Sequence, residues 1–316
     1  MSKQLIEAQR YEIYLGIKRG WSISRIAAEI GVSKSTVSRE VSRNKKADGE
    51  YVWTIAQAKA EARRHVVGGN NRKGVVLWLE VERMITEEQW SPAQIAGVLR
   101  KRGVDICKQT IYNHVHADGT GELARHMRHK LKYRHRQKAP RPTKATNIAN
   151  RTSIHLRPAE ADGKRFGDWQ MDTIVDSFGH AILTLTETST NMLIMEKLRF
   201  GRRAKPLAKA VARLLFPYKG DGVKTITTDN GCEFAAHLDI TKALGATVYF
   251  TDSYSSCQKG AIENMNKLVR QYIPKSANFA RFSDNTVFNI QKKINRRPRE
   301  KLNFSSPVVE FFKFFN

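Results

Sequence analysis

The stretch Lys224–Phe234, K-T-I-T-T-D-N-G-C-E-F, limits the architecture more tightly than any other. Thr225–Thr228 sets β-branched apolar character among hydroxyls and reads as a short strand. It runs straight into Asp229-Asn230-Gly231, a turn signal that also opens a helix. A strand of this kind has to be buried in a sheet, and the turn then leaves Asp229 on the lip of that sheet. A carboxylate there is held by rigid backbone yet reaches solvent, which suits a metal ligand. The same placement also suits a carboxylate that only caps the following helix.

Two further acidic residues decide between these readings. In G-D-W-Q-M-D-T-I-V, Trp169, Met171, Thr173 and Val175 fall on one face of a strand. Gln170, Asp172 and Ile174 fall on the other. An acidic residue inside a run that otherwise looks core-bound is costly to bury without a partner. In Q-K-G-A-I-E-N-M-N-K-L-V-R-Q-Y-I-P, Ile262, Met265, Leu268, Val269 and Tyr272 mark an apolar helical stripe. Glu263, Lys267 and Arg270 mark a second stripe, which taken alone is an ordinary solvated face.

Asp172, Asp229 and Glu263 together make a hard-oxygen cage for Mg2+, or for Mn2+ in its place. Carboxylates brought to about 4 Å repel by roughly 4 kcal/mol per pair at an effective dielectric of about 20, so such a cluster needs cations. Two divalent ions about 4 Å apart suit in-line attack on a phosphodiester, one at the attacking oxygen and one at the leaving oxygen.

The order and context of these three residues resemble the catalytic triad of DDE transposases and retroviral integrases. The strings T-D-N-G-C-E-F, F-T-D-S-Y-S-S-C-Q-K-G-A-I-E-N-M-N and V-R-Q-Y-I-P-K, with I-N-R-R-P-R-E-K-L near the end, are more particular. They resemble the insertion sequence 30 family of bacterial transposases over nearly the whole chain. Gln170 stands where that family usually has Glu, Cys257 where it has Trp, and Ser253 where it has Pro; no triad carboxylate is lost. The resemblance implies a multidomain protein, an all-α helix-turn-helix region followed by an α/β ribonuclease-H-like core with a mixed five-stranded sheet. It implies double-stranded DNA as partner, both terminal inverted repeats and target, and a homodimer or higher homo-oligomer. It also implies strand cleavage followed by strand transfer in one site, in the nucleoid-associated cytoplasm of a bacterium.

Charge agrees with a nucleic-acid partner. The net charge is +25, with the larger basic excess ahead of residue 167. No apolar run is long enough to span a membrane, and no signal peptide opens the chain. Cys107, Cys232 and Cys257 are odd in number and scattered, which argues for a reducing compartment rather than a disulfide framework. His114 and His116, near Cys107, lack zinc-ligand spacing. A DNA-binding regulator whose second half is only a dimerisation scaffold is the rival reading, and the intact triad argues against it.

Four regions are expected: 1–66, 72–122, a basic linker 123–164, and a catalytic domain 165–316. In the first, helices over Leu5–Arg19, to Ile30, and over Lys34–Arg43 are separated by Gly20 and Gly31, a helix-turn-helix pattern. Its third helix opens Lys34, Ser35, Thr36, Arg39 and Arg43 to a DNA groove. In the second, Ser91-Pro92 starts a helix to Lys101, and Lys108–His116 presents Lys108, Gln109, Tyr112 and Asn113. The run Arg125–Lys144 is dense in charge and broken by Pro140 and Pro142. Beyond it, three strands in succession and then alternating strand and helix predict a mixed, helix-covered sheet. Lys267 and Arg270 are expected to hold phosphates beside the carboxylates, and the Phe-rich tail Pro307–Phe315 to pack on the core or on a second subunit.

Overall fold

Serine side chains cap the second and third of the N-terminal helices. The computed structural model describes residues 4–46, 48–69, 74–127, 148–253 and 255–315. These fall into two compact units, Met1–Trp78 and Leu79–Asn316. The first holds α1 (Glu7–Lys18), α2 (Ile23–Glu29), α3 (Lys34–Asn44) and α4 (Trp53–Gly69). Ser22 accepts the Arg25 N–H at 3.3 Å and Ser33 accepts the Thr36 N–H at 3.2 Å, each supplying a helix with the acceptor its first turn lacks. Gly31, at φ +67°, makes the turn between α2 and α3, where a side chain would be strained. Ile13, Ile26, Ala27 and Val37 are buried together, with Ile30 and Val41 packed against them. A buried ion pair crosses this core: Arg10 Nε donates to Glu40 at 2.7 Å, and Arg10 Nη1 to Gln57 at 2.8 Å, tying α1 to α3 and α4.

The second unit receives α5 (Val75–Thr86), which begins just ahead of it, then α6 (Pro92–Lys101), α7 (Lys108–Ala117) and α8 (Glu122–His126). Ser91 and Gln94 cap α6 reciprocally, and Pro92 sits in its first turn. Helix α6 is seated on the C-terminal segment. Gln94 Nε2 donates to the Pro298 carbonyl at 2.9 Å, and a Cβ on Gly97 would fall 2.2 Å from the Phe304 ring. Helices α6 and α7, where a second helix-turn-helix is expected, therefore share a unit with the sheet. Of the basic run Arg125–Lys144, residues 128–144 lie outside the described residues.

The sheet has six strands rather than five, in the order β1-β6-β5-β2-β3-β4. They are β1 (Thr152–Ser153), β2 (Asp168–Val175), β3 (Ala181–Glu187), β4 (Leu193–Leu198), β5 (Thr225–Thr228) and β6 (Thr247–Phe250). The extra strand, β1, lies inside the stretch read as linker. Two residues carry no periodicity; pairing with Tyr249 and Phe250 makes them a strand. β2, β3 and β4 form an antiparallel meander, while β2, β5, β6 and β1 run parallel, giving the expected mixed sheet.

Strand alternation divides the core between two faces. Trp169, Met171, Leu183, Leu185 and Ile194 face α9 (Ala204–Leu215) and α10 (His237–Leu244). Ile174, Ile182, Leu193 and Met195 face α11 (Gly260–Tyr272) and α12 (Asp284–Asn295). The helix expected over Phe234–Leu244 is a short 3-10 turn, Cys232–Phe234, and then α10. The tail forms α13 (Pro307–Phe312) and packs on the core: Phe311 is fully buried against Phe166, Trp169 and Tyr218.

Asp176, just past β2, is buried and accepts the backbone N–H groups of Phe178, His180 and Phe279 at 2.8–2.9 Å, with His180 Nδ1 at 2.8 Å. Burial opposes its charge, but these donors outweigh it and hold the carboxyl at about 2. A depressed carboxyl adds stability above its unfolded value, near about 4, and loses it as pH falls toward 2. Asp176→Asn is expected to lower stability at neutral pH and to flatten the acid-induced loss in that window, measured by urea unfolding across pH.

Candidate active site at the carboxyl end of the central strands

Register sets the first two carboxylates side by side. β2 and β5 are parallel, with Gln170 opposite Thr227. Two residues further along each chain come Asp172 and Asp229, level with one another on neighbouring strands, whose spacing is about 4.8 Å. β5 stops at Thr228, so Asp229 stands on the lip while β2 continues past it. Asp229 Oδ1 accepts the Gly231 N–H at 3.1 Å, so the carboxylate does serve the turn. Its other oxygen is turned to a different partner.

That partner is Lys259. Its Nζ lies 3.0 Å from Asp229 Oδ2 and 3.6 Å from Asp172 Oδ1, and the lysine is only 5% exposed. Burial pushes the Asp172 carboxyl above its ordinary value; the Lys259 ammonium pulls it back, and Asp229 pushes it up further. The loop expected to deliver Glu263 thus also delivers a cation to the two aspartates.

Helix α11 is pinned to β2 on both sides of Glu263. The Ile262 N–H donates to Gln170 Oε1 at 2.9 Å, and Asn266 Nδ2 donates to Asp172 Oδ2 at 2.9 Å. Gln170 and Asp172 share a strand face, so one face of β2 fixes the start of the helix. Glu263 lines a cleft of about 570 Å³ together with Asp172, Lys267 and Arg270. Asp229 is not part of that lining. Among the described residues, no three Asp, Glu, His or Cys side chains converge closely enough to hold one ion. The fold therefore joins Asp172 to Asp229 and places Asp172 and Glu263 on one cleft, without closing the three into a cage.

The donor set nonetheless suits a hard cation. A lysine ammonium stands between the two aspartates, and Asn266 Oδ1 is buried beside Asp172 with no hydrogen-bond partner among the described residues. Asp172 and Asp229 are the residues that could hold Mg2+ or Mn2+, with Glu263 on the wall of the cleft that Asp172 also lines.

Other acidic residues of the core are taken by protein partners. Asp168 pairs with Arg165 and accepts from Thr225 Oγ1. Asp252 is held by His155 and Gln258. Glu233 is closer to the chemistry: it accepts from Thr173 Oγ1 at 2.9 Å, one residue from Asp172, and lies 3.6 Å from Arg202. Sequence reasoning missed Lys259 and Asn266. Both stand within one turn of Glu263, at i−4 and i+3, where a search for helical neighbours finds them.

The expected DNA-facing side chains are largely open. Lys34, Ser35, Arg39 and Arg43 are exposed on α3, and Thr36 is half-buried against Ser33. Arg39 folds back to the Ser35 carbonyl at 3.0 Å. On α7, Lys108, Gln109 and Asn113 are exposed, Gln109 bonded to Asn113, and Tyr112 is half-buried. Lys267 is exposed on the cleft wall. Arg270 also lines the cleft, but donates to the Val175 carbonyl at 3.2 Å and lies over the Phe279 ring.

Removing the Lys259 charge separates its two effects. Lys259→Met is expected to destabilise the metal-free protein, because the aspartates lose their counter-charge. It is also expected to bind Mn2+ about tenfold more tightly than wild type, as a difference of ~1.4 kcal/mol in titration calorimetry. Unchanged affinity would mean the ammonium does not compete for the site.

Comparison with known proteins fits this arrangement. A family model described as a helix-turn-helix domain matches residues 2–44. The transposase for insertion sequence element IS4351 of Bacteroides fragilis is 36% identical over 324 residues, covering 100% of this chain and 98% of that protein. The transposase InsI for IS30A of Escherichia coli (strain K12) is 32% identical, covering 95% of this chain and 81% of that protein. Among solved structures, the catalytic core domain of BIV integrase aligns with 47% of this chain and 95% of that one, at 18% identity and a TM-score of 0.38. With 32–36% identity to these transposases over 95–100% of its length, and a helix-turn-helix domain at its start, this chain belongs to the IS30 family of insertion-sequence transposases.

Proposed function

We infer that the protein cuts and joins DNA at the ends of its insertion sequence, with Asp172, Asp229 and Glu263 as its catalytic carboxylates. The observation that carries this reading is the pair of aspartates set level on adjacent parallel strands around a cation, with the Glu263 helix pinned to the same strand. Helices α3 and α7 read the terminal inverted repeats; two reading helices cover a longer site than one. Lys267 and Arg270 on the cleft wall hold phosphates of the DNA end, which orients the scissile bond toward the aspartates.

The site works as a DDE site with Mg2+, Mn2+ substituting, and two ions. Bound divalent ions supply positive charge to the attacking and leaving oxygens of an in-line displacement at phosphorus. The chain's own part is to present oxygen ligands on rigid strands, to withdraw Lys259, and to bring Glu263 across the cleft. Water attacks first and leaves a 3′ hydroxyl on the element end. That hydroxyl then attacks a phosphodiester of the target duplex in the same pocket. A homodimer or higher assembly, acting in the bacterial cytoplasm, brings the two ends together.

Glu263→Gln separates catalysis from recognition. End cleavage is expected to fall by at least about 10²-fold, the loss of several kcal/mol of charge stabilisation, while binding to an inverted-repeat duplex persists. Wild-type cleavage by the variant would remove Glu263 from the mechanism. A precut end offered to the wild-type protein distinguishes transfer from simple hydrolysis: joined product is expected, and its absence would make the enzyme a nuclease.

A further inference from the structure

We propose that the exposed edge of α9 is the seat of a second DNA duplex, the target, on the opposite side of the catalytic lip from the element end. This rests on the reading above and identifies the surface it leaves open. Lys205, Lys209 and Arg213 recur every four residues and form one row along the helix, and Arg202 lies two residues ahead of its start. All four are exposed, while Leu207, Ala208, Val211 and Leu215 bury the other side of the helix against the sheet. Lys205 and Lys209 have no hydrogen-bond or ion-pair partner among the described residues. The helical row spans about 12 Å, the rise of roughly three to four phosphates along one strand of B-DNA.

The surroundings favour nucleic acid over other anions. A recess of about 380 Å³ opens beside the row, lined by Arg199, Phe200, Lys205, Lys209 and Arg213 and by Glu196, which pairs with Arg213 and leaves Lys205 and Lys209 as its open cations. Phe200 is 65% exposed, an apolar side chain among cations, as found where proteins press on sugars or base steps. A second copy of this chain, itself carrying a net charge of +25, is a poor match for such a row.

Position argues for the target rather than the element end. Helices α9 and α11 cover opposite faces of the sheet. The cleft with Glu263, Lys267 and Arg270 is on the α11 side. Arg202, just ahead of the α9 row, lies 3.6 Å from Glu233, which accepts from Thr173 next to Asp172. Two cationic walls therefore meet at one pair of aspartates, and strand transfer needs two duplexes at one set of reacting atoms.

The test uses full-length protein carrying Lys205→Glu and Lys209→Glu together. Three substrates are compared: a labelled inverted-repeat duplex for end cleavage, a precut end with a plasmid for joining, and a linear duplex of unrelated sequence for binding. End cleavage is expected to stay within about twofold of wild type, while joining falls at least about tenfold. Binding of the unrelated duplex should lose about two units of salt slope, one per phosphate contact removed. Lys205→Arg with Lys209→Arg should restore joining. Unchanged joining, or an equal fall in cleavage and joining, overturns the proposal. A drop in solution mass of the Glu variant overturns it in favour of an interface between copies. If the wild-type protein neither cleaves nor joins, the reading of the activity fails instead, and the binding comparison alone decides the surface.

Discussion

Two carboxylates repel when one stands on a strand and the other on the turn that ends the neighbouring strand, as Asp172 and Asp229 do. A cation has to stand between Asp172 and Asp229 for both to be charged, and Lys259 provides it. Much of the nearby architecture follows from this. The loop after β6 must turn back over the lip to bring the lysine in, and α11 starts directly behind it. Gln170 and Asp172, on one strand face, then take the helix by Ile262 and Asn266. The candidate site is in this sense built around a charge problem that sheet geometry creates and that a lysine ammonium or a divalent ion can solve.

The parts of this account visible in the sequence were those with a period or a turn. The alternation in β2 placed Asp172 and Gln170 together opposite Trp169 and Met171, as the two core clusters bear out. Ser22, Ser33 and Ser91 marked helix starts because a capping hydroxyl has a fixed place relative to the first turn. β1 was hidden, since two residues show no alternation and pair only through tertiary structure. Lys259 was hidden for another reason. A lysine in a Ser-, Gln- and Gly-rich loop looks solvated, and only the fold brings its amine to the aspartates. The buried Arg10–Glu40 pair was likewise masked by residue types that usually face water.

The link between reader and cutter also depended on long-range contact. Nothing in the α6 sequence announces that Gly97 lies under Phe304, two hundred residues away. Asn303 and Phe304 both adopt positive φ, the latter a costly conformation for an aromatic residue, and the turn they make presents that ring to α6. With Gln94 bonded to Pro298, this seats α6 on the catalytic unit. On the proposed reading, in which α7 contacts DNA, this seat would hold that DNA at a set distance from the aspartates.

The central claim is that the place now filled by the Lys259 ammonium is a metal site completed by Glu263. Anomalous diffraction from crystals of the protein grown with Mn2+ and a precut DNA end tests it most directly. The account predicts a manganese peak within ligand distance of Asp172 and Asp229, a Glu263 oxygen brought into coordination, and Lys259 withdrawn from between them. A peak bound elsewhere, or Lys259 still bridging both aspartates with the end in place, would contradict it.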